Sequence, residues 1–183
     1  MAKIGIFYGS TSGVTEEIAT ALQEKLGKDL CDLFSMEDDF DEFSDLLEYD
    51  YLLLGCSTWG AGEVQNDWRD PLFEMEVEKP DFSGKTIALF GPGDYVSHGM
   101  HFVGALGVMY DIFTKLGATV VGAVPTDDYT FEHSTAIRDG LFVGLPLDEI
   151  NESEKTDERL NRWIEILRPH FPIEDRVLAG ASA

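Results

Sequence analysis

Ile4-Gly5-Ile6-Phe7-Tyr8-Gly9-Ser10-Thr11-Ser12-Gly13-Val14-Thr15 is the stretch on which the rest of the chain is read. Its apolar start does not alternate, so Ile4 to Tyr8 is predicted as a strand covered on both faces. Val14, Ile18, Leu22 and Leu26 then recur every four residues and predict a helix. Between them lies a short loop of glycines and hydroxyl residues. A buried strand feeding directly into an amphipathic helix is the opening unit of a parallel α/β sheet.

The same alternation continues outward. Leu30 to Phe34 is a weaker strand, and the acidic stretch Glu37 to Glu48, with Phe40, Phe43 and Leu47, is predicted as a helix. Tyr51 to Cys56 is a second buried strand, followed by a short helix over Trp68 to Val77. Thr86 to Phe90 is the next strand, entered by a turn at Ser83-Gly84. Phe102, Leu106, Met109, Phe113 and Leu116 mark a long helix that Gly117 ends. Thr119 to Val124 is the last strong strand, and Leu160, Trp163, Ile164 and Leu167 make a final helix stopped by Pro169. The segment from Pro125 to Asp148 is polar apart from the island Leu141 to Leu145. It reads as a long insertion returning briefly to the sheet edge. Five strands and five helices predict a three-layer α/β sandwich in one domain, residues 1–171. Residues 172–183 are expected to be a frayed tail.

Composition narrows the function classes. The chain has 183 residues, 44% of them hydrophobic, enough for a packed core. Asp+Glu number 35 against 13 Lys+Arg, a formal net charge of −22. Nucleic acid and anionic membranes need positive surface and are disfavoured as partners, whereas a basic protein partner suits the charge. No apolar run reaches the ~18 residues of a membrane span, and the N-terminus lacks a secretory signature. Cys31 and Cys56 make neither a CxxC pair nor a zinc or iron–sulfur ligand set, so no metal is expected and a reducing cytoplasm is the simplest setting.

In an open parallel sheet ligands bind beyond the carboxyl ends of the strands. Three loops of unusual composition leave those ends. The first, Ser10-Thr11-Ser12-Gly13-Val14-Thr15, opens a helix and offers hydroxyls plus unpaired N–H groups to an anion. A plain N-cap would need only one such residue. The loop holds no lysine or arginine and is neither a Walker A motif nor GxGxxG, which suggests a terminal phosphate held by neutral donors. The second loop, Ser57-Thr58-Trp59-Gly60-Ala61-Gly62, presents an indole that could plug the core or stack on a flat ligand. The third, Gly91-Pro92-Gly93-Asp94-Tyr95-Val96-Ser97-His98, exposes backbone groups beside an acceptor and two rings. A Ser-His-Asp hydrolase is weak here, since no G-x-S-x-G elbow is present. His98 and His101 lack a third metal ligand. A phosphate loop beside aromatic and backbone-rich loops describes a site for a flat phosphorylated cofactor, and FMN fits.

The chain closely resembles the long-chain flavodoxins from about Lys3 to His170. The likeness rests on Ile6 to Thr15, Leu54 to Trp59, Asp67-Trp68, Phe90 to Asp94 and Phe142 to Asp148 together. It implies a flavodoxin-like fold, a five-stranded parallel sheet in the order 2-1-3-4-5 with strand five split by the 125–148 insertion. Carried over, Ser10, Thr11, Ser12, Gly13, Val14 and Thr15 would hold the FMN phosphate. Ser57, Thr58, Trp59, Gly60, Ala61 and Gly62 would flank the flavin, with the Trp59 ring on its inner face. Backbone of Gly91, Pro92, Gly93, Asp94 and Tyr95 would meet the pyrimidine edge. Where the family has a tyrosine on the outer face this chain has His98; His98 is the expected outer stacking residue and Tyr95 the alternative. The usual Leu-Asp-x-Asp-Asn segment becomes Leu147-Asp148-Glu149-Ile150-Asn151.

The resemblance implies a low-potential one-electron carrier, not an enzyme, with non-covalent FMN cycling between semiquinone and hydroquinone. The Gly60 carbonyl would accept from flavin N5–H. A histidinium at His98 would make the lower potential depend on pH near 6–7. The net charge is a modest term: at about 15 Å, screened with a Debye length of about 8 Å, it opposes the second electron by about 1 kcal/mol. Implied partners are a ferredoxin/flavodoxin–NADP reductase, a pyruvate oxidoreductase or the nitrogenase iron protein, and a monomer is expected. The rivals are an FMN-dependent quinone reductase on the same fold and a domain that has lost FMN.

Overall fold

The computed structural model describes residues 3–174. The first half runs β1 (Ile4–Gly9), α1 (Val14–Leu26), β2 (Cys31–Ser35), α2 (Ser44–Leu47), β3 (Tyr51–Cys56), β4 (Thr58–Trp59), β5 (Glu63–Val64) and α3 (Asn66–Glu78). The second half runs β6 (Thr86–Pro92), α4 (Tyr95–His98), a 3-10 turn at Gly99–His101, α5 (Gly104–Lys115), β7 (Thr119–Val121), β8 (Val124–Pro125), β9 (Ile137–Arg138), β10 (Leu141–Phe142), β11 (Leu145–Leu147), a 3-10 turn at Ser153–Lys155 and α6 (Thr156–Leu167).

The main sheet is parallel throughout. β1 lies between β2 and β3, β6 follows β3, and both β7 and β11 pair with β6. β7 runs beside Thr86 to Ala88 and β11 beside Phe90 to Pro92, so together they are one split fifth strand in the expected order 2-1-3-4-5. Gly122 makes the break. Its φ of +86° is a left-handed value, and a Cβ there would lie 2.9 Å from Leu167 and from the Trp163 indole nitrogen. The strand predicted over Thr119 to Val124 therefore stops at Val121, and Val124–Pro125 starts a separate antiparallel sheet, β8-β10-β9. Of the apolar island, Leu141–Phe142 belongs to that small sheet and only Leu145 onward returns to the main one.

Helices cover both faces. Lys25 of α1 pairs with Asp157 of α6 on one side, and α3 meets α5 on the other. Trp68, Trp163, Phe7 and Phe90 are wholly or almost wholly buried between these layers, each contributing about 2–3 kcal/mol of apolar transfer. The helix predicted over Glu37 to Glu48 shrinks to Ser44–Leu47. Ser35, Asp39 and Asp45 side chains accept N–H bonds at Ser35, Glu37, Asp38, Asp41 and Glu42 and hold the chain in turns instead. Phe171 and Ile173 are buried, so the end of the core extends past the predicted boundary at 171. The remainder of the predicted tail, 175–183, lies outside the described residues.

Candidate functional site

All three loops emerge at the carboxyl end of the sheet and line one cleft of about 360 Å³. At its first wall α1 begins without a side-chain cap, because Ser10 Oγ accepts from Gly13 N (3.0 Å) and closes the preceding loop. Intrahelical bonding starts with Glu17 N to Gly13 O, which leaves the N–H groups of Val14, Thr15 and Glu16 without helical acceptors. Thr11 Oγ1 accepts from Gln65 Nε2 (3.1 Å), so its own O–H is free to donate elsewhere.

Gln65 is buried and links two walls. It caps α3 by accepting from Asp67 N (3.0 Å), and its backbone N donates to Ser57 O (3.2 Å). The second wall is the β4–β5 hairpin, in which Trp59 faces Glu63 across the ladder and Gly62 N closes on Trp59 O. Gly60 turns the hairpin with φ +52°, a conformation costly for any residue with a Cβ. The Trp59 side chain is 47% exposed and is steered by its Nε1–H to Ser57 Oγ (2.9 Å). It is therefore presented toward the cleft rather than plugged into the core.

The third wall differs from the predicted loop by one helical turn. Asp94 Oδ1 accepts from Val96 N and Ser97 N and caps α4, so Tyr95 to His98 is helical. The wall is pinned from the far end of the chain. Asp148, fully buried, accepts from Tyr95 N (2.9 Å), Asn151 N (2.9 Å) and Asn151 Nδ2. Asn151 Nδ2 also donates to Asp94 Oδ1 (2.9 Å). Burial works against the Asp94 charge, but these hydrogen bonds outweigh it and hold the carboxyl below its ordinary range.

Thr11, Ser12, Val14, Thr15, Ser57, Thr58, Trp59, Gly60, Pro92, Gly93, Asp94 and His98 line the cleft. Ser10, Gly13, Ala61, Gly62 and Gly91, also expected at the site, are turn and strand residues that do not line it. Tyr95 is half-buried against the core and does not line the cleft, whereas His98 does. Sequence reasoning missed His101, Phe102, Val103 and Glu149 as lining residues, and it named Ile150 only as a changed position. Val103 has φ +47°, rare for a β-branched residue, where the chain bends into α5. Phe102 packs against Phe131 and Phe142 and so joins the insertion to the cleft. No lysine or arginine lines the cleft. Burial raises the Cys56 thiol behind it to about 12, which keeps it protonated and unreactive. Among the described residues no cluster of three metal-ligating side chains occurs, and no helix is long and apolar enough to cross a membrane.

An open α/β sheet with one cation-free cleft over its carboxyl edge, framed by an uncapped helix start and an exposed indole, defines a binding protein for a flat anionic ligand. The family model described as Flavodoxin matches residues 6–163. Flavodoxin 1 of Azotobacter vinelandii is 67% identical over 171 residues, covering 93% of this chain and 98% of the relative. A flavodoxin of Picosynechococcus is 44% identical, covering 93% and 99%. Among solved structures, a Fusobacterium nucleatum flavodoxin bound to flavin mononucleotide superposes with a TM-score of 0.85 at 33% identity, covering 93% of this chain and 99% of that one. The chain belongs to the flavodoxin family.

Proposed function

We propose that this chain is an electron carrier, not an enzyme, that holds FMN in the cleft and passes single electrons between protein partners. The observation that carries the reading is the cleft itself: neutral donors at one end, ring-bearing side chains at the other, and no fixed cation between. When bound, FMN supplies one-electron redox chemistry. The N–H groups of Val14, Thr15 and Glu16 and the hydroxyls of Thr11 and Ser12 would bind the phosphate at the positive end of the α1 dipole. Trp59 would cover one ring face and His98 the other, excluding water. The Gly60 carbonyl would accept the hydrogen bond of flavin N5–H when that atom carries a proton, since a glycine peptide can turn at little cost. Gly93 and Asp94 backbone would meet the pyrimidine edge, with the turn behind them held by the bond from Tyr95 N to Asp148.

Covering both ring faces leaves no pocket for a second substrate, which favours a carrier over a quinone reductase. The net charge of −22 suits partners with basic docking faces and predicts rates that fall as salt is added. A ferredoxin/flavodoxin–NADP reductase, a pyruvate oxidoreductase and the nitrogenase iron protein are the proposed partner classes, with the protein a cytoplasmic monomer folded as one domain whose core reaches Ile173.

Mixing the purified chain with FMN should quench the flavin fluorescence, and stepwise anaerobic reduction should then pass through a blue, long-wavelength-absorbing one-electron form before bleaching. FMN that stays free in solution would defeat the binding assignment. Direct bleaching of the bound cofactor would instead favour the two-electron enzyme.

A further inference from the structure

A second groove lies away from the cofactor cleft and shares no lining residue with it. It encloses about 460 Å³ between the start of the insertion, β11 and α6. Val124, Leu145, Trp163 and Ile166 give it an apolar surface, and Tyr129 and Arg159 share its wall.

Arg159 is the unusual member. It is 2% exposed, deep for an arginine. Nε donates to Asp128 Oδ2 (3.1 Å), and Nη2 donates to Asp128 O (2.8 Å) and Glu152 Oε2 (2.9 Å). The guanidinium carbon lies 4.2 Å from the centre of the Tyr129 ring, which answers the charge without supplying a strong acceptor. Nη1 is left over. Among the described residues it is the one buried side-chain nitrogen or oxygen that meets no hydrogen-bond partner. Buried donors are nearly always satisfied, so an orphan on a residue lining a roomy groove marks a place for an acceptor.

We propose that this groove is a second ligand site, which takes a small ring compound carrying one neutral acceptor, a ketone or amide carbonyl, for Arg159 Nη1. The volume suits such a molecule, since ligand pockets begin at about 300 Å³ and are mostly apolar with a few placed polar groups. The surrounding charges select the type of acceptor. Asp128 and Glu152 already balance Arg159, and Arg162 beside it spends its charge on Asp128 (3.2 Å) and Glu158 (3.6 Å). Asp127 adds a further carboxylate to the same wall. A charged carboxylate ligand would meet these acids with both arginines already paired. A carbonyl oxygen brings an acceptor and no charge.

The test titrates the whole chain, with excess FMN present to fill the cleft, and follows the indole N–H resonances of its 3 tryptophans. Trp163 reports on the groove, through the Nε1–H that it gives to Gly122 O (2.8 Å), and Trp59 reports on the cleft. The probes share one ring: acetophenone, toluene and benzoate. Acetophenone should move the Trp163 resonance and leave that of Trp59 in place. Toluene, which lacks the acceptor, and benzoate, which brings a charge, should each bind at least about tenfold more weakly. Equal affinity for acetophenone and toluene would overturn the proposal, because the groove would then be an apolar crevice to which Nη1 is irrelevant. So would tighter binding of benzoate, or a Trp163 resonance that no probe moves. Ile166→Trp supplies an independent check. Ile166 is half-buried, so a larger side chain can enter the groove there without displacing the core. Acetophenone binding should weaken by at least about fivefold in this variant, and native affinity would place the binding elsewhere. FMN fluorescence in the same samples reads the cleft separately, so failure of this site and failure of the cofactor assignment are distinguishable.

Discussion

The proposed phosphate end of the cleft is made of backbone at the start of a 13-residue helix, whereas the ring end is made of side chains on a two-residue ladder and a single 4-residue turn. The first is anchored mainly by its own neighbours in sequence, since Ser10 closes the loop and β1 leads into it, with one long-range bond from Gln65 to Thr11. The second is anchored on the α4 side from a distance, by Asp148 and Asn151, while Gln65 holds the hairpin side from eight residues away. Binding of the anion is thus mainly a property of one short stretch, while placement of the α4 wall depends on segments some fifty residues apart. Substitutions at the two ends should fail in different ways.

The largest effect belongs to charge at the phosphate end. Ser12→Glu places a carboxylate where the anion would sit and leaves the core untouched. FMN affinity should drop at least about 100-fold, or about 3 kcal/mol, with Tm of the FMN-free protein nearly unchanged. Fluorescence titration reads the first quantity and calorimetry the second. Native affinity in this variant would move the phosphate site elsewhere.

At the ring end the largest effect is structural. Asp148→Ala removes the buried acceptor of three partly buried N–H groups, those of Tyr95, Ile150 and Asn151. About 3 kcal/mol should be lost, or roughly 10 °C in Tm, because each of the three lost hydrogen bonds is worth about 1 kcal/mol. Asp148→Asn, which keeps an acceptor, should recover part of it. If the alanine variant melted like the native protein, the anchoring of α4 from a distance would be wrong.

This contrast also explains what the sequence revealed. The phosphate end was legible because strand, loop, hydroxyls and helix are contiguous from Ile4 to Leu26, and the periodicity of Val14, Ile18, Leu22 and Leu26 is unambiguous. The ring end was legible in residue type only. Trp59, Asp94 and His98 were identified, but nothing local said that Asp148 would pin α4 or that His101 and Glu149 would join the wall. Those placements depend on pairing between segments some fifty residues apart, such as Tyr95 N to Asp148. The stretch Glu37 to Glu48 failed for a related reason. Its apolar spacing suits a helix, but Ser35, Asp39 and Asp45 side chains satisfy the backbone in turns, and hydrophobic spacing does not weigh that competition.

A smaller effect separates the two ring-bearing elements. Gly60→Ala forces a side chain into a left-handed conformation at φ +52° and brings its Cβ within 2.3 Å of the Glu63 carboxylate. Glu63 can swing away, so the stability cost should be about 1 kcal/mol. The potential for adding the first electron should nevertheless fall, because the peptide that turns toward N5 is the one stiffened. An unchanged first potential would release Gly60 from that role and leave it a hairpin glycine.

The smallest effect lies in the charge on the α4 cap. Asp94 is held ionised by Ser97, Asn151 and Val96 donors against its own partial burial, so its folded-state titration lies below the unfolded one. The sign follows. Stability from this group is present in full above the ordinary carboxylate range of about pH 4 and is lost as pH falls through the lowered folded value. Asp94→Asn keeps an acceptor for the cap and for Asn151 but removes the charge. Its Tm should lie slightly below the native one at neutral pH, and the two should converge as pH falls through about 4 to about 3. Acid sensitivity from Asp128, Glu152 and Asp157, whose ion pairs also hold them low, is shared by both proteins and cancels in the difference. Parallel curves would show that the cap works through its hydrogen bonds alone, and the ring end would then owe its placement to neutral contacts and buried Asp148 rather than to the exposed charge beside the cleft.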